Sequence, residues 1–178
     1  MTFSLVFPGQ GSQSVGMMAA YGDSAVVRST FDEASATLGQ DLWQLVADGP
    51  AEALTKTVNT QPVMLTAAIA AYRLWLEKGG KTPTVVAGHS LGEYSALVAA
   101  GVIDFKDAVP LVRLRATAMQ EAVPLGTGAM AAVMNLDDAK IREACAEALK
   151  DIAPSEVVEL VNFNAPGQTV IAGTKAAV

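Results

Sequence analysis

The stretch Thr84-Val85-Val86-Ala87-Gly88-His89-Ser90-Leu91-Gly92-Glu93-Tyr94-Ser95-Ala96 decides the fold of this chain. It begins with a short β-branched and apolar run, breaks at a glycine and continues with helix-forming residues, which predicts a strand, a sharp turn and a helix. Gly88, Ser90 and Gly92 give the pattern G-x-S-x-G, which is the spacing of a nucleophile elbow. The alternative is an ordinary glycine-rich turn that carries a solvated serine.

The spacing of the elbow has a mechanical cause. A serine at such a turn is held in a strained backbone conformation that exposes its hydroxyl group. Side chains two residues before and after it would collide with the crossing helix and strand, so both positions need glycine. The backbone N–H of Leu91 opens the helix and would point toward an oxyanion formed beside Ser90.

Composition indicates a globular protein. The chain has 178 residues, of which 51% are apolar and 17% charged, enough for one domain or a domain and a half. No apolar run is long enough to span a bilayer, and the first residues lack the features of a signal peptide. The single cysteine, Cys145, excludes an internal disulfide and is expected as buried filler. We therefore expect a cytoplasmic protein.

The net charge of −6 and the pI of about 4.7 argue against a nucleic-acid partner, because phosphate binding needs a basic surface. The same charge makes an acidic protein partner awkward unless a local basic patch exists, and the sequence contains no basic run.

Glycine, proline and capping residues mark the ends of the other helices and strands predicted in the first part of the chain. They are a strand at 2–7, a helix from Ser24 to Leu38 that Gly39 ends, a short apolar turn at 41–46, a helix capped by Asn59 or Thr60 that runs to Lys78, and a helix from Asp104 toward Glu121.

After residue 128 the pattern changes to strands at 129–134, 157–163 and 169–172 with a helix at 137–149. This β-α-β-β order is the start of a ferredoxin-like split motif. We therefore predict an α/β protein in which residues 1–127 form a parallel, α/β-hydrolase-like core and residues 128–178 form an incomplete ferredoxin-like subdomain. The active cleft is expected between them.

The extended string G-H-S-L-G-E-Y-S-A-L from Gly88 resembles the active-site segment of malonyl-CoA:acyl-carrier-protein transacylases and of the acyltransferase domains of polyketide and fatty-acid synthases. Stretches at 7–13, 60–62, 115–124 and 162–168 match the same family in order. The chain thus resembles the N-terminal part of the proteins of that family.

The resemblance implies transfer of malonyl from coenzyme A to acyl carrier protein in fatty acid biosynthesis, through an ester on Ser90, with no metal or redox cofactor. It implies that the backbone N–H of Gln10 joins Leu91 as an oxyanion donor, that Gln61 lies in the pocket and that Arg115 binds the malonyl carboxylate. The residues leave alternatives open: Gln10 and Gln61 could serve only loop and cap hydrogen bonds. Arg115 could be a surface arginine, and Arg113 is its competitor.

The absence of the family's catalytic histidine, the general base, is the largest departure of this sequence from the family pattern. The family uses a histidine in a later serine- and proline-rich stretch, and this sequence contains one histidine, His89. Neighbouring side chains diverge in a sharp turn, so we expect His89 to form part of the pocket wall or to serve packing, and not to act as the base. Asn162 and Asn164 are expected to line the cleft, with a turn role as the alternative.

Two other functions fit parts of the sequence. The elbow alone also fits a serine esterase or lipase of the α/β-hydrolase type, although only about two strands precede Ser90 here. The missing base also allows a non-catalytic, acyl-binding fragment.

Overall fold

The computed structural model describes residues 2–21, 23–124 and 126–178, which fold as two compact units, 1–119 and 120–178. Helices and small sheets make the protein a mixed α/β structure, as predicted. No helix within the described ranges has both the length and the apolar character needed to cross a bilayer.

The first unit contains two strands and six helices in its described residues. In chain order these are β1 (Ser4–Phe7), a 3-10 turn (Ala19–Tyr21), α1 (Ala25–Leu38), α2 (Leu42–Asp48), α3 (Ala51–Leu54), α4 (Thr57–Glu77), β2 (Val85–Gly88), α5 (Leu91–Ala99) and α6 (Phe105–Glu121), whose last turn passes into the second unit. Strands β1 and β2 are parallel, in a register that pairs Ser4 with Val85 and Phe7 with Gly88.

The core of the first unit lies between its helices. Phe31 of α1, Leu65 and Ile69 of α4, and Val109 of α6 are almost completely buried in one apolar cluster. Because α4 and α6 each bury one face in this cluster, their polar side chains are held on a rigid frame.

Two predicted elements of the first unit were wrong in detail. Residues 41–46 were expected as a turn, but residues 42–46 belong to helix α2 and Asp41 is its N-cap. The Asp41 carboxylate caps this helix by accepting a hydrogen bond from the Gln44 N–H at 2.8 Å. The helix predicted to start at Asn59 or Thr60 starts at Thr57 instead. Both side chains bond back to carbonyls of the preceding turn, those of Ala53 and Leu54.

The second unit contains β3 (Gly128–Met134), α7 (Asp138–Ala148), β4 (Val158–Ala165) and β5 (Gln168–Thr174). These elements confirm the predicted β-α-β-β order. The strands form an antiparallel sheet in the order β3-β5-β4. Helix α7 buries Ile141 and the free thiol of Cys145 together with Val158 of β4, so Cys145 is core filler as expected.

The elbow is where β1, β2 and α5 approach each other most closely. A Cβ atom on Gly88 would lie 2.0 Å from the Gly92 carbonyl oxygen, and one on Gly92 would lie 2.3 Å from the Phe7 carbonyl oxygen. Both distances are far below van der Waals contact, and the obstructing atoms are backbone. The prediction that both positions need glycine is confirmed.

We predict that Gly88→Ala destabilises the protein by at least about 3 kcal/mol, at the upper end of the range for overpacking, because β2 and α5 must separate. Urea unfolding of the two proteins measures this. Gly79→Ala is the matched control. Gly79 has a φ of +80° and no atom near its added Cβ, so only backbone strain of about 1–2 kcal/mol is expected there. Equal losses at the two glycines would contradict the close approach.

Candidate active site

Ser90 occupies the turn between β2 and α5 with φ 55° and ψ −114°, a positive φ that non-glycine residues rarely adopt. The residue is exposed. Such a conformation costs about 1–3 kcal/mol and persists only where the surroundings impose it. Here β2, the first turn of α5 and the two elbow glycines impose it, so the Ser90 hydroxyl is presented at the surface of the unit.

The first turn of α5 follows directly. The Gly92 N–H donates to the His89 carbonyl oxygen at 2.9 Å, and the Glu93 N–H donates to the Ser90 carbonyl oxygen at 3.2 Å. Leu91 is the first helical residue, so its N–H has no acceptor within the helix. This N–H lies at the positive end of the α5 dipole, beside the serine, where anions are stabilised.

The loop after β1 lies against the elbow. A Cβ atom on Gly9 would be 3.0 Å from the His89 carbonyl oxygen, so the backbone just before Gln10 lies close beside the nucleophile turn. The Gln10 side chain donates from Nε2 to Thr57 Oγ1 at 2.9 Å. Helix α4 therefore anchors this loop through its first residue.

Arg115 on α6 connects the elbow with α4. Its Nη2 donates to Ser90 Oγ at 3.0 Å, and its Nη1 donates to Gln61 Oε1 at 2.7 Å. The guanidinium carbon also lies 5.6 Å from the ring centroid of Tyr94, within reach of a cation–π interaction. The half-buried Arg115 is therefore held over the nucleophile by three different elements of the unit.

Arg113, the competitor of Arg115, points elsewhere. Its Nη2 donates to Gln40 Oε1, and its buried Nε finds no hydrogen-bond partner among the described residues. Burial lowers the pKa of the Arg113 guanidinium below its ordinary value, because the charged form loses water. The two arginines lie two residues apart on one helix, and the contact with Ser90 belongs to Arg115.

The structure thus brings together Ser90, Leu91, the Gly9–Gln10 loop, Gln61 and Arg115 within the first unit. His89 is exposed at the elbow. Asn162 and Asn164 lie on β4 in the second unit. Among the described residues no three His, Cys, Asp or Glu side chains are grouped so as to hold a metal ion.

Sequence reasoning missed two side chains at this site, Thr57 and Tyr94. Thr57 lies one helical turn before Gln61, so the i, i+4 spacing already placed it on the same face of α4. Tyr94 lies one turn after Ser90 on α5 by the same spacing. An apolar groove along β1 and α4 is lined by Val6, Ala68 and other side chains that include neither Ser90 nor Arg115, so the site is not that groove.

The acyl transferase domain model matches residues 4–178. The malonyl CoA-acyl carrier protein transacylase of Escherichia coli (strain K12) is 63% identical over 177 residues, which cover 99% of this chain and 56% of that protein.

Two solved structures are similar to the chain. The acyl-carrier-protein S-malonyltransferase of Burkholderia pseudomallei 1710b is 65% identical with a TM-score of 0.91, over 99% of this chain and 56% of that one. A malonyl-transacylase solved in complex with its type II PKS acyl-carrier protein is 57% identical with a TM-score of 0.92, at the same coverage of 99% and 56%.

The chain spans about half the length of these relatives. The family model, in contrast, matches almost every residue of the chain, including all the side chains of the site. The chain belongs to the acyl transferase domain family.

Proposed function

We propose that the protein with this chain is a malonyl-CoA:acyl-carrier-protein S-malonyltransferase of fatty acid biosynthesis. The observation that carries the proposal is the contact of the Arg115 guanidinium with Ser90 Oγ at 3.0 Å, which places a cation beside a serine on a strained elbow. An acyl group that carries its own carboxylate matches this pair. The named relatives, which are transacylases of this kind, support the same activity.

The proposed reaction has two halves. Ser90 Oγ attacks the thioester carbonyl of malonyl-CoA, its proton passes to a base, and the carbon–sulfur bond breaks to release coenzyme A and leave a malonyl ester on Ser90. The phosphopantetheine thiol of acyl carrier protein then attacks the same carbonyl, which frees Ser90 and forms the new thioester. No redox cofactor is required, because acyl transfer changes no oxidation state, and none of the proposed steps uses a metal.

Two backbone N–H groups are proposed to stabilise the oxyanion in each half. Leu91 donates from the start of α5, and Gln10 donates from the loop that lies against the elbow. Removing one such donor typically costs about 3 kcal/mol of transition-state stabilisation. The close approach of Gly9 to the His89 carbonyl and the bond from Gln10 to Thr57 support this role, since both fix the loop beside Ser90.

Arg115 is proposed to bind the free carboxylate of the malonyl group. An unpaired anion that leaves water for a partly closed site is strongly disfavoured, so a cation must meet it there. The planar guanidinium suits a carboxylate through two parallel hydrogen bonds. Its position within hydrogen-bond distance of Ser90 supports the role, because the carboxylate and the ester belong to one short acyl group.

The remaining site residues are proposed in the roles expected from the sequence. We propose that His89 forms part of the pocket wall beside Ser90 and that Asn162 and Asn164 contact substrate. Gln61 is proposed as part of the same pocket, behind Arg115. The cytoplasm is the proposed location, which suits the free thiol of Cys145.

The finer fold description is also a proposal. We propose that residues 1–127 are an α/β-hydrolase-like core and that residues 128–178 begin a ferredoxin-like subdomain. The parallel β1–β2 pair with its nucleophile elbow supports the first part. The antiparallel order β3-β5-β4 and the helix between β3 and β4 support the second.

The two other functions have less support. The named relatives are transacylases, which favours neither a simple esterase nor a non-catalytic acyl-binding fragment. Esterases need no cation beside the nucleophile, because their acyl groups carry no second carboxylate. Malonyl transfer from coenzyme A to a carrier thiol, measured with the protein at its natural length, tests the proposal. Hydrolysis of simple esters without such transfer would contradict it.

We predict that Arg115→Ala weakens the use of malonyl-CoA by about 2–5 kcal/mol, the usual cost of breaking a buried charge pair. Use of acetyl-CoA, which has no free carboxylate, should be unchanged or improved. Arg115→Lys keeps the charge but loses the planar fork, so it should lower malonyl transfer by less. The measurement is kcat/KM for each substrate.

Arg113→Ala is the control for this prediction, since Arg113 lies on the same helix but contacts Gln40 and not Ser90. Any loss in that variant should be equal for the two substrates. An equal loss for both substrates in Arg115→Ala would mean that Arg115 supports the fold or binds coenzyme A, and not the malonyl carboxylate.

A further inference from the structure

Gln61 is a fully buried polar side chain on α4, with a relative exposure of 0%. Both ends of its amide are engaged. Oε1 accepts a hydrogen bond from Arg115 Nη1 at 2.7 Å, and Nε2 faces the Met119 sulfur at 3.4 Å. A thioether accepts hydrogen bonds and a guanidinium only donates them, so these two partners fix the amide in one orientation. The carbonyl end therefore faces Arg115.

Burial determines how Gln61 influences the reaction. Because the side chain has no exposed surface, it reaches a bound acyl group only through Arg115. Arg115 spans the two contacts, with Nη1 on Gln61 and Nη2 on Ser90 Oγ. The hydrogen bond from Nη1 to Gln61 orients the guanidinium so that Nη2 points at Ser90 Oγ, the atom on which the ester forms.

The chemistry of an amide explains why glutamine suits this position. A carboxylate here would form an ion pair with Arg115 and compete with the carboxylate of the substrate. The neutral amide oxygen accepts the hydrogen bond but leaves the full positive charge for the substrate. A neutral side chain also avoids the cost of burying an anion in the core.

We infer that Gln61 is a positioning residue that sets acyl specificity through Arg115, by fixing the guanidinium beside Ser90 without neutralising it. This inference rests on the proposed function. It assigns Gln61 a role behind the arginine, in place of direct contact with substrate.

The chain contains a matched pair for comparison. Gln40 Oε1 accepts a hydrogen bond from Arg113 Nη2, so the same two functional groups meet two residues earlier on α6. Arg113 makes no contact with Ser90 among the described hydrogen bonds. A substitution at Gln40 therefore makes the same chemical change in the same unit, away from the nucleophile.

The test compares Gln61→Glu, Gln61→Met and Gln40→Glu in the protein at its natural length, by kcat and KM for malonyl-CoA and acetyl-CoA. We expect Gln61→Glu to raise KM for malonyl-CoA by at least about a hundredfold, with little change for acetyl-CoA, because the new carboxylate occupies Arg115. Gln61→Met keeps the volume but removes the acceptor. It should lower kcat/KM for malonyl-CoA by about ten- to a hundredfold, as for a lost hydrogen bond to a charged group.

Gln40→Glu should leave the ratio of malonyl-CoA to acetyl-CoA use unchanged. Equal losses for both substrates in the Gln61 variants, or the same shift of the ratio in Gln40→Glu, would overturn the inference.

A second measurement does not depend on activity. The stabilities of Gln61→Met, Arg115→Met and the double variant form a cycle that isolates the contact of the two side chains. We expect Gln61→Met to destabilise the protein more when Arg115 is present than when it is replaced, because the hydrogen bond is lost only in the first case. Additive effects would overturn the inference. If the unsubstituted protein does not transfer malonyl, both the proposed function and the specificity role of Gln61 are overturned. The stability cycle would still decide whether Gln61 holds Arg115.

Discussion

The backbones of β2, α5 and β1 approach each other at Gly88 and Gly92 more closely than any side chain permits, and the site depends on that approach. A Cβ atom at either position would lie within 2.3 Å of a backbone oxygen. The turn between the two glycines is consequently so tight that Ser90 adopts a positive φ of 55°. The strain is local, and the packing of three elements holds it in place. Its result is an exposed hydroxyl next to the first free N–H of a helix.

The rest of the unit supplies what an elbow alone lacks. Helix α6 carries Arg115 to Ser90, and α4 contributes Thr57 and Gln61 from two successive turns of one face. Thr57 anchors the loop that carries Gln10, and Gln61 anchors the arginine. Both helices bury apolar side chains in the same cluster. A rigid core therefore fixes the distance between the nucleophile and the cation.

The helices and strands differ in how far they could be predicted from the sequence. The elbow could be predicted from the sequence, because steric contacts require its glycines at a fixed spacing. Helix α1 could be predicted because Ser24 precedes it and Gly39 ends it. Helix α2 was not predicted, because a segment of seven residues with three buried apolar side chains fits a short turn as well as a helix. The start of α4 was misplaced because Asn59 and Thr60 resemble capping residues. In the structure their side chains bond back to carbonyls six residues earlier in the chain.

The site was predictable only in part, for a different reason. Resemblance to a family pointed to Arg115, but the periodicity of α6 fits Arg113 and Arg115 equally well. The structure separates them by tertiary contacts across 54 and 73 residues of sequence, to Gln61 and Gln40 respectively. Such contacts leave no local signal in the sequence.

The most direct test of the account is to identify the atom that carries the acyl group. The protein at its natural length is incubated with malonyl-CoA without a carrier, digested under acid conditions and analysed by mass spectrometry. The account predicts one added malonyl group on the peptide that contains Ser90, and its loss in Ser90→Ala. A malonyl group of undiminished amount in Ser90→Ala would contradict the account, because the nucleophile would then lie outside the elbow.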